Sequence, residues 1–221
     1  MKRTLLAAMI SLPLLAAAAP AENETGERGI TWGVRATLDV NFPGKWHFDG
    51  GHSVKMYNSK AGGHLGVVAN IPVAAGFYIE PGASLFYDTY TFDVVMTDSE
   101  GFAQESNPLI QKFGFRIPVM AGYRFGLSDR ASVSIFTGPE LNYSAWGRMH
   151  VKNNYFNDAI PELFGEEGQQ RRWNIAWVAG AALEWDSWVL SAAGSFGMND
   201  LLKNDAKFHE NRLSVSLGYN F

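Results

Sequence analysis

Arg212-Leu213-Ser214-Val215-Ser216-Leu217-Gly218-Tyr219-Asn220-Phe221 closes the chain, and its alternation decides the fold. Leu213, Val215, Leu217, Tyr219 and Phe221 take every odd position, and small or polar residues take the even ones. A period of two sends neighbouring side chains to opposite faces of an extended strand. This strand therefore separates an apolar medium from a polar one. Its last residue is an aromatic on the apolar face.

The same pattern opens the chain's patterned part. Ile30, Trp32, Val34, Ala36, Leu38, Val40 and Phe42 make one face, against Thr31, Gly33, Arg35, Thr37, Asp39 and Asn41 on the other. Six further segments carry period-two signals, at residues 61–71, 76–88, 112–125, 131–143, 172–185 and 188–197, the last being the least regular. The total is eight strands, an even number, as bacterial single-chain membrane barrels require. Their connections alternate in length. Short ones are expected near Pro72–Ala75, Gly126–Arg130 and Asp186–Ser187. Long ones are expected near Pro43–Lys60, Thr89–Gln111, Ser144–Arg171 and Met198–Asn211. Short periplasmic turns facing long extracellular loops are the asymmetry of a transmembrane barrel, and they put both termini on the periplasmic side.

Composition agrees with export to a membrane. Lys2 and Arg3 precede an apolar stretch from Leu5 to Ala19, and Ala19-Pro20-Ala21 forms an A-x-A cleavage site. The stretch is about 15 residues long, within signal-peptide range and too short to span a bilayer. Residues 1–21 are thus expected to be a cleaved signal peptide, and residues 22–221 a barrel with four long extracellular loops. The formal charge of −4 becomes −6 when the two basic residues of the signal are lost, which argues against a nucleic-acid partner. The chain has no cysteine, so disulfides and thiolate metal sites are excluded. Beyond the signal, no apolar run approaches the ~20 residues of a membrane helix. Residence in a membrane then requires a closed barrel.

The apolar rows begin and end with aromatics. Trp32, Phe77, Tyr123, Trp185, Trp188, Tyr219 and Phe221 fall at the periplasmic rim; Phe42, Tyr87, Phe113, Tyr143, Trp173 and Phe196 fall at the outer rim. Aliphatic residues fill the middle of each row. Two aromatic girdles around an aliphatic band suit a bilayer with two interfaces, so the partner of this surface is outer-membrane lipid.

Five short stretches carry a family resemblance. They are Tyr78-Ile79-Glu80-Pro81-Gly82, Phe115-Arg116-Ile117-Pro118-Val119, Gly138-Pro139-Glu140-Leu141, Val178-Ala179-Gly180-Ala181-Ala182-Leu183-Glu184 and Leu217-Gly218-Tyr219-Asn220-Phe221. Together, in order and spacing, the chain resembles the outer-membrane β-barrel domain proteins of Bacteroidetes, the PorT-like group. The resemblance implies an eight-stranded meander barrel in the bacterial outer membrane. PorT is associated with protein secretion, a role that fold resemblance does not transfer.

The polar rows supply candidate site residues. Arg35, Arg116, Arg124 and Arg212 share them with Asp39, Glu80, Asp88, Glu140 and Glu184, with His64 nearby. Eight-stranded barrels are narrow and filled by side chains, and buried charges must be paired. An interior salt-bridge network that plugs the lumen is the expectation. The loops are the second candidate. Residues 144–171 hold Trp146, His150, Tyr155, Phe156, Phe164 and the acids Asp158, Glu162, Glu166 and Glu167; residues 43–60 hold Trp46, His47, Phe48, Asp49, His52 and Tyr57. Aromatic loop residues on a rigid scaffold suit an extracellular ligand or surface partner. His47, Asp49 and His52 match no metal-ligand spacing, and no hydrolase, zinc-protease, P-loop or EF-hand motif is present, so no catalytic residue, metal or cofactor is expected. The closing strand is the element through which barrel-assembly machinery would recognise the chain. A structural, surface-binding or assembly-associated barrel is therefore the main expectation. A narrow pore for small or apolar solutes and a soluble lipocalin-like carrier, with its apolar row turned inward, are the alternatives.

Overall fold

The computed structural model describes residues 29–43, 46–47, 53–54, 57–92, 94–97, 103–106, 109–150, 159–160, 163–164, 170–203 and 208–221. The expected signal segment, residues 1–21, lies outside them. Eight strands form a closed antiparallel barrel. They are β1 (Thr31–Pro43), β2 (Lys60–Ala74), β3 (Phe77–Phe92), β4 (Leu109–Ser128), β5 (Ala131–His150), β6 (Trp173–Trp185), β7 (Trp188–Gly197) and β8 (Glu210–Asn220). Each pairs with the next in the chain. β8 returns to β1, so no long edge is left unpaired.

The seam shows why the register is fixed. Val34 lies opposite Tyr219, Ala36 opposite Leu217, Leu38 opposite Val215 and Val40 opposite Leu213. Apolar faces apolar at each step, and a slip of one residue would turn the whole row to the other side. The last residues are tied on both flanks. Phe221 N donates to Trp32 O at 2.8 Å, and Asn220 N donates to Ser187 O at 2.7 Å.

The apolar rows face outward. Leu38 is 77% exposed and Leu65 65%, whereas Arg116 and Asp39 are each 1% exposed. This is the reverse of a water-soluble core and suits a hydrocarbon solvent, in which only closed hydrogen-bonded structures are stable. The lipocalin-like alternative required the apolar row to line a central cavity, and the outward rows overturn it. Among the described residues no helix is long and apolar enough to cross a membrane; the chain crosses with strands.

Two of the three short connections are tighter than the sequence predicts, and the third is as expected. Ala75 and Gly76, with φ of 46° and 89°, join β2 to β3. Two successive left-handed residues match the twist of a hairpin. Pro72 therefore lies within β2, beside a register shift between Pro72 and Ala74 that relieves the missing N–H. Gly126–Ser128 lie within β4, leaving Asp129–Arg130 as the turn, and Asp186–Ser187 form the third. At the other end β3, β4 and β5 continue well past the expected boundaries, through Phe92, from Leu109 and to His150. Backbone pairing holds there even where apolar alternation fades. Two of the four long connections carry short ladders of their own, Trp46–His47 with Ser53–Val54 and Val94–Thr97 with Ala103–Ser106.

Candidate functional site

The inward rows build two tiers of charge inside the barrel. In the tier near the short turns, Arg35 Nη2 donates to Glu80 Oε2 at 3.2 Å, and Asn70 Nδ2 donates to the same oxygen at 3.2 Å. Arg124 Nε donates to Glu184 at 3.0 Å, and Arg124 Nη2 reaches Asn70 Oδ1 at 3.4 Å. Asn70 thus joins the two ion pairs into one chain. The Arg124 guanidinium also sits 5.0 Å from the centre of the Tyr78 ring. That ring lies flat over Gly122, its register partner, where an added Cβ would stand 2.3 Å from Tyr78 Cζ. Arg35 similarly lies across Gly33 and Gly218.

The second tier is centred on Arg116. Its Nη1 donates to Asp39 Oδ2 at 2.8 Å, its Nη2 pairs with Asp88, and its Nε donates to Asn142 Oδ1 at 3.0 Å. Its plane stacks 4.3 Å from the centre of the Phe86 ring. His64 Nδ1 lies 2.8 Å from Asp39 Oδ2 and 2.9 Å from Arg116 Nη1. Asp39 also accepts from Ser214 Oγ at 2.6 Å. Arg212 extends the cluster, its Nη2 donating to both oxygens of Glu140 at 2.8 and 3.1 Å. Charge-assisted hydrogen bonds of this kind bind carboxylates strongly. Between the tiers lies a cavity of about 130 Å³, lined in part by Thr37, His64, Tyr78, Ser84, Met120 and Ser216.

Above the second tier the lumen changes character. Lys112 is 3% exposed and pairs with Glu210. Over it, Tyr90, Ile110, Leu163, Phe164, Leu201, Leu202 and Phe208 form a buried apolar cap at the mouth on the long-loop side. Gln170 and Tyr90 hydrogen-bond beneath it at 3.3 Å. Phe164 packs on Gly147, where an added Cβ would stand 2.6 Å from its ring. The cap was not legible in the sequence. Its loop residues show no periodicity, and only folding brings Leu163, Leu202 and Phe208 together. Phe164, expected as an exposed loop aromatic, is buried at 2% exposure because it fills this mouth. Trp146 and His150 belong to strand β5 rather than to a loop. Lys112, at the first position of the segment 112–125, and Glu210, ahead of the expected closing strand, share parity with Arg116 and Arg212.

All ten charged residues singled out from the polar rows thus meet in the lumen, divided between the two tiers. Of the apolar-row aromatics, Trp32, Phe42, Phe77, Tyr87, Trp173, Trp185, Trp188, Phe196, Tyr219 and Phe221 are exposed. Phe113, Tyr123 and Tyr143 are half-buried by neighbouring rings. At one rim Tyr143 packs against Trp173 and Phe115 at 4.5 and 5.0 Å between centroids. At the other, Tyr123 packs against Phe77 and Phe125, both at 4.7 Å, and Trp188 against Tyr219 at 5.2 Å. The side chains of Trp46, His47, Phe48, Asp49, His52, Tyr57, Tyr155 and Phe156, with Asp158, Glu162, Glu166 and Glu167, lie outside the described residues.

A closed meander barrel with an apolar outside, ring-rich rims and a charged inside defines a transmembrane β-barrel of the bacterial outer membrane. The chain belongs to the family described as outer membrane protein beta-barrel domain, whose model matches residues 20–203. Several solved structures are similar to it. Ail, the attachment invasion locus protein of Yersinia pestis, solved in complex with the heparin analogue sucrose octasulfate, is 12% identical over 87% of this chain and 99% of its own, with a TM-score of 0.40. Neisserial surface protein A is 11% identical over 87% and 99%, with a TM-score of 0.40. The outer membrane protein OprG of Pseudomonas aeruginosa is 11% identical over 87% and 96%, with a TM-score of 0.40. No curated protein matches the chain.

Proposed function

We propose that this protein is a plugged, non-conducting outer-membrane barrel whose work is done at its surface, by presenting the long loops to an extracellular ligand or partner. One observation carries the reading. Arg116, 1% exposed, joins two carboxylates across the lumen directly below a buried apolar cap. An ion crossing this barrel would have to break the charge cluster and then enter a hydrocarbon-like seal, and both steps are costly. The ten lumen residues act on this reading as a structural plug and not as a transport or catalytic site. The girdle aromatics anchor the barrel at the two interfaces, in keeping with their exposure at the ends of the apolar rows. The five family-like stretches support membership of the PorT-like branch. An assembly role for the closing strand rests on its aromatic terminus and its place at the seam. Cleavage of residues 1–21 rests on the basic start, apolar stretch and A-x-A site.

The cavity of about 130 Å³ favours a second reading, a narrow pore for small solutes. Planar-bilayer recording of the refolded protein separates the two. Plugged barrels give no steady current above the bare-bilayer baseline. A sustained, protein-dependent step conductance would overturn the plugged reading in favour of the pore.

A further inference from the structure

The cavity between the two charge tiers has two unlike walls. Thr37, Ser191 and Ser216 line one side of it. Ser216 on β8 is the register partner of Thr37 on β1 and of Ser191 on β7, so the three form one hydroxyl row across neighbouring strands. Ser216 is 8% exposed, and its Oγ has no hydrogen-bond partner among the described residues. Buried hydroxyls without a partner are few in folded chains. A serine hydroxyl turns about a single bond between staggered positions, so a guest at this wall can capture it.

Met120 on β4 and Phe136 on β5 line the same cavity. In a closed barrel of eight strands, those four apart stand across the lumen from one another. β4 therefore faces β8 and β5 faces β1, which sets these two side chains opposite the hydroxyl row. Val68, Val178, Ala182 and Val189 complete the apolar lining, each 9% exposed or less. The charged groups that border the cavity are already engaged. Arg35 pairs with Glu80, Glu184 with Arg124, Arg212 with Glu140 and His64 with Asp39. An entering charge would give up its water and find no free counter-ion, so the cavity suits a neutral guest. An apolar cavity of roughly 150 Å³ takes one benzene ring, and this one, at about 130 Å³, is of that order.

We propose that this cavity is a binding site for one small, neutral, amphipathic molecule of the size of phenol. Its ring or short chain lies against Met120, Phe136 and Val178, and its hydroxyl meets the row of Thr37, Ser216 and Ser191. Water alone would fit the volume, as roughly four molecules, but would leave hydrogen bonds unmade against the apolar wall. An apolar body with one polar group matches both walls, as ligands of largely apolar pockets do. The site goes beyond the loop-borne role proposed above and depends neither on it nor on whether the lumen conducts.

Methionine-methyl NMR of the full mature barrel in neutral detergent tests the site, with phenol as the probe. Met120 lines the cavity, and Met198, 60% exposed, reports on phenol outside the barrel. The Met120 signal is assigned by its loss in Met120→Leu. Titration should move the Met120 methyl along a saturable curve, and Met198 only in proportion to added phenol. Ala182→Leu fills the cavity from its apolar wall and should abolish the saturable response. Ala193→Val, at another lining position, should do the same and stands in if the first variant fails to refold. The double variant Thr37→Val/Ser216→Ala should bind phenol about tenfold more weakly and benzene as the parent does. Heat-modifiable gel migration identifies the folded fraction of each variant, so misfolding is not read as lost binding. A Met120 response that stays linear would show that the cavity holds water only and would overturn the proposal. Equal phenol affinity in parent and double variant would overturn it as well, because the hydroxyl row would then have no part in binding. Benzoate binding as tightly as phenol would refute the neutral guest.

Discussion

At Arg116 the chain buries a guanidinium with Asp39, Asp88 and Asn142 as its partners, and His64 beside them. Burial makes such a cluster sensitive to the loss of one member, because the charges left behind lose a partner that water does not replace. Arg116→Gln leaves Asp39 and Asp88 facing each other across the lumen without their shared cation. Its expected cost is about 3 kcal/mol or more, read as a shift in urea unfolding of the refolded barrel in detergent. An unfolding midpoint equal to that of the parent would show that water in the lumen already solvates those carboxylates. The parity of Arg116, Asp39 and Asp88 was legible in the sequence, since each stands on the face opposite an apolar row. Their pairing was not. Asp39 and Arg116 are 77 positions apart, and only closure of the barrel puts them 2.8 Å apart.

Between elements, the short turns carry one exposed ion pair that spans two hairpins. Arg130 in the β4–β5 turn donates to both oxygens of Asp186 in the β6–β7 turn, at 2.9 and 2.6 Å, and Asp186 N donates back to Arg130 O at 2.8 Å. The hydrogen bond from Arg130, and then its charge, hold the Asp186 carboxyl below the ordinary carboxylate range. A depressed acid stabilises the folded form above its unfolded pKa, near ~3.9, and loses that contribution as pH falls through the folded value. The pair is therefore fully formed at neutral pH and weakens only in acid. Because the groups are solvent-exposed and open to screening by salt, the sensitive measurement is local. Carboxyl NMR of Asp186 should show its titration midpoint move upward, toward the ordinary value, in Arg130→Gln. No movement would mean that the guanidinium does not set it. The sequence marked Asp186–Ser187 as a turn but could not pair it with Arg130, because adjacency of two turns is a property of the closed sheet.

For the molecule as a whole, the plugged reading puts two seals in series in the lumen, the Arg116 charge cluster below and the apolar cap above. Series seals fail only together. Opening the cap with Phe164→Ser and Phe208→Ser should leave bilayer recordings silent, and so should Arg116→Gln alone. The triple variant should conduct. A steady current from the cap variant alone would show that the lower tiers are water-filled and do not block ions.

The sequence by itself determined the solvent and the count of strands. Alternation with period two fixes which residues share a face, and aromatics at row ends mark where the faces stop. These are local signals, readable within ten residues. It also determined that the charged residues lie on the face opposite the lipid. Tertiary structure alone decided who meets whom: the Asn70 link between two ion pairs, the Arg116 cluster, and the cap assembled from two loops and the ends of β3 and β4. These depend on closure of β8 onto β1 and on the stagger of eight strands around the barrel, which no local pattern encodes.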